Sequence, residues 1–159
     1  MDEQIKDNIK ILFICHGNIC RSPMAEFLFQ DLVRRQNMES MFHIASAATS
    51  REEIGNPVHR GTRDKLRQHG ISTAGKYAVR MEQSDYDKYD YLIAMDHYNL
   101  TNMNRIINGD PQGKVHLLMD FTDRPRDVAD PWYTGDFDQT YEDVLEGCNG
   151  LLHHILNNL

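Results

Sequence analysis

The chain has 159 residues, with 17 Lys and Arg against 24 Asp and Glu and a net charge of −7. This length fits one domain, and the acidic balance argues against nucleic-acid or anionic-membrane partners, because most of the surface repels phosphate. The sequence has no run of the roughly 20 apolar residues that span a bilayer and no apolar signal core, and its three Cys are too few for a disulfide scaffold. We therefore expect a cytoplasmic, single-domain protein over residues 1–159, with residues 1–8 as a flexible N-terminal extension.

Strands and helices are predicted to alternate along the chain. The mostly apolar run Lys10–Ile14 indicates a buried parallel strand, and a helix follows it, with Ser22 as N-cap and Pro23 at the first helical position. Similar patterns predict strands at 41–47, 90–95 and 114–118, helices at 60–69, 100–107 and 137–156, and a loop at 121–136. This alternation indicates one open, mainly parallel α/β sheet, which binds ligands at the carboxyl ends of its strands.

The segment between the first strand and the first helix is Cys15-His16-Gly17-Asn18-Ile19-Cys20-Arg21-Ser22. A loop that curls into a helix N-terminus directs backbone N–H groups and the positive end of the helix dipole at one point, which suits a tetrahedral dianion. Arg21 adds a planar two-pronged donor, and the same field favours the nucleophilic thiolate of Cys15. Ser22 can hydrogen-bond to that sulfur. Gly17 and Asn18 suit the close approach and left-handed backbone that a ring-like loop needs.

A cysteine nucleophile that displaces a phenolate from phosphorus needs an acid, which the segment Asp130-Pro131-Trp132-Tyr133 supplies. We expect Asp130 to protonate the departing oxygen and later to take a proton from the attacking water. Trp132 and Tyr133 are expected to wall the pocket and stack on an aromatic substrate ring. The residues thus predict hydrolysis of aryl phosphate monoesters through a phosphocysteine intermediate, with no metal and no other cofactor.

Together, the segments Cys15–Pro23 and Asp130–Tyr133 resemble the two signatures of the low-molecular-weight protein tyrosine phosphatases. The resemblance implies a flavodoxin-like, four-stranded parallel sheet flanked by helices on both faces, and phosphotyrosine-containing proteins as substrates of a monomer or weak dimer. It also implies that Asn18 is held by a buried polar network. The expected members of that network are Ser22, Ser46 and His69.

The expected residues of substrate and phosphate binding are His16, Gly17, Asn18, Ile19, Cys20, Ser22, Trp132 and Tyr133. By the same resemblance, Cys20 is a protective thiol that forms a reversible disulfide with Cys15 under oxidation.

The chain departs from the family's pattern around the pocket. Arg51-Glu52-Glu53 stands where many relatives carry an aromatic residue, and His59 replaces an acidic residue. We therefore expect a rim that is acidic on one side. The stretch 74–78 also lacks the family's His-x-Ala-Arg pattern, so no role is carried over to it.

Other interpretations of the same residues remain open. An arsenate reductase of similar fold would need further cysteines, which are missing between residues 80 and 95. A protein-arginine phosphatase tends to carry Thr at the position of Ile19, and the bulkier Ile favours an aryl ester. A catalytically silent phosphate-binding module would need neither a nucleophile nor an acid. A zinc site at Cys15, His16 and Cys20 would have at most three ligands and no second pair.

Overall fold

The computed structural model describes residues 8–159. Within this range the chain forms four strands and six helices, in addition to two 3₁₀ turns at Glu39–Met41 and Leu118–Phe121. In chain order they are β1 (Ile9–Cys15), α1 (Arg21–Arg35), β2 (Phe42–Ala48), α2 (Arg60–Arg67), α3 (Asp85–Lys88), β3 (Tyr91–Ala94), α4 (His97–Ile107), β4 (Val115–Leu117), α5 (Pro131–Thr134) and α6 (Phe137–Asn157). Apart from Asn8, the N-terminal extension expected over residues 1–8 lies outside the described residues.

The four strands form one parallel sheet in the order β2-β1-β3-β4. The central strand β1 pairs with β2 from Ile9 opposite Phe42 to Cys15 opposite Ala48. Because parallel strands share the direction of their carboxyl ends, Cys15 lies at the edge of the sheet where such folds bind ligands. The predicted open parallel α/β sheet is confirmed.

Side chains of β1 alternate between the two faces of the sheet, as a strand's pleat requires. Ile11 and Phe13 are fully buried in a cluster with residues of α1 and α6, whereas Leu12 and Ile14 are buried in a second cluster with residues of α3 and α4. Both faces are thus covered by helices, as predicted. Among residues 8–159, no helix is long and apolar enough to cross a membrane.

The apolar stripe predicted for the closing helix is buried on α6. Its fully or almost fully buried members are Val144, Cys148, Leu151, Leu152 and Ile155. This helix and α1 lie on the same face of the sheet, so the end of the chain covers the helix that begins after the loop containing Cys15.

The start of the first helix differs from the prediction. Helix α1 begins at Arg21, so Cys20 and not Ser22 precedes it, and Pro23 is not its first residue. The Ser22 hydroxyl does not cap the helix because it lies 3.0 Å from Cys15 Sγ and accepts a hydrogen bond of 2.8 Å from the Asn18 side chain. The polar group that looked like a cap therefore serves the loop instead.

Two other helix boundaries also differ. Helix α4 begins at His97, three residues before the predicted start, because the Asp96 carboxylate accepts a hydrogen bond from Asn99 N–H and the Asn99 side-chain oxygen accepts one from Asp96 N–H. Helix α2 ends at Arg67, short of the predicted His69. The short helices α3 and α5 were not predicted, and α5 lies within the segment predicted as loop.

Candidate active site

The sulfur of Cys15 lies at the base of the loop between β1 and α1. The Cys15 residue is 3% exposed. Its Sγ atom accepts hydrogen bonds from the backbone N–H groups of Asn18 and Ser22, at 3.3 and 3.4 Å, and lies 3.0 Å from Ser22 Oγ. The first turn of α1 and the loop before it therefore surround the sulfur with polar groups.

Asn18 holds this loop in an unusual conformation. Its φ of 59° lies in the left-handed region that few residues other than glycine adopt. The buried side chain is fully paired: Nδ2 donates to Ser22 Oγ at 2.8 Å and to Ser46 Oγ at 2.9 Å, and Oδ1 accepts from Val79 N–H at 3.1 Å. Three parts of the chain thus fix the strained residue, and the expected contacts of Asn18 with Ser22 and Ser46 are present.

The polar network continues from Ser46 to an ion pair. Ser46 Oγ donates to Glu26 Oε1 at 2.5 Å, and Lys76 Nζ donates to the Ser46 carbonyl at 2.9 Å and lies 3.4 Å from Glu26 Oε1. The Glu26 and Lys76 side chains are only 11% and 13% exposed. A largely buried charge pair therefore supports the side chain that holds Asn18.

His69 does not belong to this network, contrary to expectation. It is exposed, and its ring stacks on Tyr141 with centroids 4.3 Å apart and planes 9° from parallel. The side chain lies just beyond α2 and packs against α6, and among residues 8–159 it has no hydrogen bond to Asn18, Ser22 or Ser46. The Lys76 amine contacts Ser46 instead.

The Arg21 guanidinium is held on several sides. Its Nη1 atom donates to Asp96 Oδ2 at 2.6 Å and to the Val128 carbonyl at 2.8 Å, and Nη2 donates to Asp130 Oδ2 at 3.4 Å. Burial alone lowers the pKa of Arg21, but the negative charge of Cys15 and the carboxylates of Asp96 and Asp130 outweigh burial and raise it. The arginine is therefore a fixed positive charge beside the sulfur.

Asp130 is the N-cap of the single-turn helix α5. Its Oδ1 atom accepts a hydrogen bond of 3.0 Å from Trp132 N–H, while Oδ2 faces Arg21. The Asp130 side chain is 24% exposed, so it can reach both the pocket and solvent. Pro131 at the first helical position suits this turn because its missing N–H would be unpaired there in any case.

These groups line one cavity of about 100 Å³ at the carboxyl end of β1. The expected site residues that line it are Cys15, His16, Gly17, Ile19, Cys20, Arg21, Asp130, Trp132 and Tyr133. Asn18 and Ser22, also expected to bind phosphate, do not line the cavity and lie behind the loop, next to the sulfur. The cavity therefore brings together the predicted nucleophile, cation and acid.

The wall of the cavity contains two exposed aromatic side chains, Trp132 and Tyr133, which are 57% and 83% exposed. The centroid of the His59 ring lies 5.6 Å from the centroid of the Trp132 ring and 5.2 Å from that of the Phe137 ring, on which His59 stacks. His59, one of the departures noted in the sequence, thus supports the wall from behind. Tyr133 has no ring partner among residues 8–159.

The opposite part of the rim is acidic, as expected from the sequence. Glu52 and Glu53 line the cavity, and Glu52 Oε1 lies 3.3 Å from His16 Nε2. A Cβ atom on Gly17 would lie 3.2 Å from Glu53 Cγ, so the glycine allows this close approach. Two carboxylates therefore share the cavity with Arg21.

Comparison with known proteins identifies the family. The family model described as low molecular weight phosphotyrosine protein phosphatase matches residues 10–159. The chain belongs to this family. Two relatives named low molecular weight protein-tyrosine-phosphatase are YfkJ of Bacillus subtilis and PtpA of Staphylococcus haemolyticus. YfkJ is 39% identical over 149 residues, which cover 92% of this chain and 96% of YfkJ. PtpA is 36% identical over 151 residues, which cover 94% of this chain and 96% of PtpA.

Solved structures of similar proteins share the fold of this phosphatase. The crystal structure of YfkJ superposes with a TM-score of 0.92 at 38% identity and covers 97% of this chain and 98% of that one. The structure of the Drosophila arginine phosphatase DARP gives a TM-score of 0.83 at 30% identity and covers 92% of this chain and 98% of the DARP chain. The predicted family and fold class are both confirmed.

Several residues of this phosphatase site were not identified from the sequence. Asp96 lies two residues after β3, at the edge of the sheet where such folds bind ligands, and this position was a usable signal. Glu26 and Lys76 carried no such signal, because one lies within a helix and the other in a stretch that departs from the family pattern. The Val128 carbonyl carried none at all, since every residue has one.

The three cysteines differ in environment. Burial, and next the charge of Cys15, raise the pKa of Cys20 to about 12, so its thiol stays protonated at neutral pH. Burial also raises the pKa of Cys148, which lies on α6 within the core. A redox role of Cys20 stays a prediction. Across residues 8–159, no three His, Cys, Asp or Glu side chains are grouped as ligands of a metal ion.

Proposed function

We propose that this phosphatase is a cytoplasmic enzyme that hydrolyses phosphotyrosine in proteins, with Cys15 as nucleophile and Asp130 as general acid and base. One observation carries the proposal: the Cys15 sulfur, the Arg21 guanidinium and the Asp130 carboxylate line the same small cavity at the end of β1. A site of this kind combines a nucleophile, a fixed cation and a proton donor, which are the groups that transfer of a phosphoryl group to sulfur requires.

In the first step the Cys15 sulfur attacks phosphorus, and the bond between phosphorus and the phenolic oxygen breaks. Asp130, protonated at this stage, gives its proton to the departing oxygen, so that a neutral phenol leaves. Arg21 has five N–H groups, and three of them are used by Asp96, Val128 and Asp130. The remaining two, on Nη2 and Nε, have no partner among residues 8–159 and can bind the phosphoryl oxygens.

In the second step water attacks the phosphocysteine. Asp130, now ionised, takes a proton from this water, the bond between phosphorus and sulfur breaks, and inorganic phosphate leaves. The Ser22 hydroxyl, 3.0 Å from the sulfur, can donate a hydrogen bond to the thiolate as it departs. The enzyme then returns to its starting state with no change in oxidation state.

The shape of the cavity favours a tyrosine ester over a serine or threonine ester. Cys15 is almost completely buried at the bottom, and the wall above it consists of Trp132 and Tyr133. A phosphotyrosine places its phosphorus atom farther from the main chain than phosphoserine does, and its ring can stack on these aromatic side chains. The depth of the sulfur and the aromatic wall therefore support the same substrate.

The test measures hydrolysis of p-nitrophenyl phosphate without added metal. The wild-type protein should turn over and be inhibited by vanadate, whereas Cys15→Ser should lose turnover and still bind phosphate. The control Cys148→Ala removes a core thiol outside the cavity and should keep the activity of the wild type. Full activity of the Cys15→Ser variant would refute the assignment of the nucleophile.

An arginine phosphatase is the nearest alternative, because DARP shares the fold at 30% identity. Ile19 lines the cavity here, where arginine phosphatases tend to carry Thr, and the larger side chain supports a flat aromatic substrate. We expect a higher kcat/KM for a phosphotyrosine peptide than for the matching phosphoarginine peptide, and a reduced difference in Ile19→Thr. A preference of the wild type for phosphoarginine would overturn the substrate class while the cysteine chemistry remained.

An arsenate reductase needs a relay of accessible thiols. Within residues 8–159 the third cysteine, Cys148, is completely buried, and its sulfur lies 3.8 Å from the Ala25 carbonyl. Its position in the core argues against thiol exchange with Cys15.

A further inference from the structure

A second cavity, larger and more open, lies beside the catalytic one. It has a volume of about 600 Å³, and its lining includes His16, Thr49, Arg80 and Arg105. His16 also lines the catalytic cavity, so the two cavities meet at this residue. We call the second cavity the arginine groove. An occupant of the groove would thus lie close to a phosphotyrosine bound above Cys15.

The groove carries positive charge on an acidic protein. Among residues 8–159, Arg80 Nη1 donates only to the Met81 carbonyl at 3.3 Å, and Arg105 Nη1 donates only to Asn102 Oδ1 at 3.4 Å. Glu82 lines the groove as well, but within the described part of the chain no ion pair joins it to either arginine. Most other arginines of residues 8–159 do pair with a carboxylate. These are Arg21, Arg34, Arg35, Arg60, Arg63, Arg67 and Arg126.

The same groove has hydrogen-bond donors without acceptors. Thr49 Oγ1 and Arg80 Nε are buried and have no partner among the described residues. An occupant of the groove reaches the two arginines through their guanidinium N–H groups, which donate hydrogen bonds and do not accept them, so the groove favours an occupant that brings acceptor atoms. A carboxylate meets that requirement and also complements the charge of the two arginines.

The groove is fixed relative to the catalytic loop. Thr49 N–H donates to the Cys15 carbonyl at 3.0 Å, and Ser50 N–H donates to the His16 carbonyl at 3.0 Å. A residue bound in the groove therefore has a defined position relative to the nucleophile. Tyr98, which is 70% exposed, adds an aromatic surface at the same place.

We propose that the arginine groove binds an acidic side chain of the substrate protein, a few residues from its phosphotyrosine. This inference rests on the proposed function, since it requires the phosphotyrosine to occupy the catalytic cavity. The acidic rim formed by Glu52 and Glu53 repels the same side chain, while Arg80 and Arg105 attract it. The two charged surfaces therefore give the substrate chain one preferred direction across the site.

The test uses short phosphotyrosine peptides that are otherwise uncharged. A single Glu is placed in turn at each position near the phosphotyrosine, on both sides, and each peptide is compared with its Gln counterpart. On one side of the phosphotyrosine, Glu should raise kcat/KM by about twofold to tenfold, the range of one or two partly exposed ion pairs. Added salt should reduce this preference, because it screens exposed charges.

The double variant Arg80→Gln/Arg105→Gln should lose the preference for Glu and keep the wild-type rate on p-nitrophenyl phosphate. The single variant Arg105→Gln changes only an exposed side chain, so it tests the proposal even if the double variant does not fold; it should lose part of the preference. Arg67→Gln removes an exposed arginine outside both cavities, and this variant should keep the full preference for Glu.

Equal rates for the Glu and Gln peptides at every position, or an unchanged preference in Arg105→Gln, would overturn the groove as an acidic-residue site. Failure of the wild type to hydrolyse p-nitrophenyl phosphate would contradict the proposed function instead. The two failures are therefore distinguishable in one set of assays.

Discussion

Asp96 Oδ2 lies 2.6 Å from Arg21 Nη1, and the same carboxylate caps helix α4 through Asn99 N–H at 2.7 Å. One side chain therefore positions the guanidinium and begins a helix. The contact joins the segments that follow two neighbouring strands, β1 and β3, at the edge of the sheet formed by their carboxyl ends. Arg21 is thus held by a residue that follows a neighbouring strand and not only by its own loop.

We expect Asp96→Asn to lower kcat/KM for an aryl phosphate by about tenfold, because one charge-assisted hydrogen bond to Arg21 is weakened. The melting temperature should also fall, because the buried guanidinium loses the charge of its nearest carboxylate, although Asn is as good an N-cap as Asp. Steady-state kinetics and thermal unfolding of the same preparation measure the two effects. Wild-type kinetics in this variant would show that Asp96 does not position Arg21.

The role of Asp130 as an acid predicts a dependence on the leaving group. In Asp130→Asn we expect kcat/KM to fall by about 10²- to 10⁴-fold for phenyl phosphate, because the phenolate then leaves without a proton. The loss should be much smaller for 2,4-dinitrophenyl phosphate, because the dinitrophenolate anion leaves readily without a proton. Asn keeps an oxygen that can accept from Trp132 N–H, so the turn of α5 is retained. An equal loss on both esters would contradict the acid role.

The Glu26–Lys76 ion pair predicts a link between stability and activity. We expect Lys76→Met to lower the free energy of unfolding by about 1–3 kcal/mol, because it leaves a largely buried carboxylate without its cation. It should also lower kcat/KM, because Ser46 and Asn18 lose support. Lys65→Met is a matched control: Lys65 pairs with Asp138, whose side chain is 82% exposed, and such pairs contribute little. Unchanged kinetics in Lys76→Met would show that the ion pair stabilises the fold but does not affect the rate of hydrolysis.

His116 on β4 predicts a loss of stability in acid. Burial, and next the charge of His154, lower the pKa of His116 in the folded protein, while Asp110 and Asp120 act in the opposite direction. The unfolded chain therefore binds a proton at His116 more readily, and the stability that this residue contributes is present above about pH 6.5 and is lost as the pH falls below it. Thermal unfolding at about pH 7.5 and about pH 5.5 measures the loss.

In the same experiment the melting temperature of the variant His116→Asn should fall less on acidification than that of the wild type. His153→Asn, which changes an exposed histidine on α6, should behave like the wild type. An identical pH dependence of all three proteins would exclude His116 as a source of acid sensitivity.

The loop between β1 and α1 could be singled out as a candidate site because its reactive and polar residues are contiguous in the sequence. Cys15, Gly17, Asn18 and Arg21 lie within one short segment between a strand and a helix, and a loop of that type folds locally into an anion site. Asp130 is far away in sequence, but the Pro-Trp-Tyr that follows it distinguishes it from the neighbouring acidic residues. Local patterns were sufficient to predict that Cys15, Arg21 and Asp130 share one site, and the chemical role of each stays a prediction.

The remaining contacts could not be predicted because they depend on distant parts of the chain. The Ser22 hydroxyl was interpreted as a helix cap, although tertiary contacts with Cys15 and Asn18 determine its position. His69 and Lys76 lie seven residues apart, and only the path of the chain after α2 decides which one reaches Ser46. A single sequence contains the residue types but not the distances between them.

The cap of helix α5 has a consequence for how substrate choice can change. Asp130 is held by the backbone N–H of residue 132, which every amino acid except proline provides, and the indole ring takes no part in that bond. Positions 132 and 133 are therefore free to vary in size and polarity while the Asp130 carboxylate stays where it is. In an evolving or engineered enzyme, new phosphoproteins could be recruited by changes at these two positions alone, with the placement of Cys15, Arg21 and Asp130 left intact.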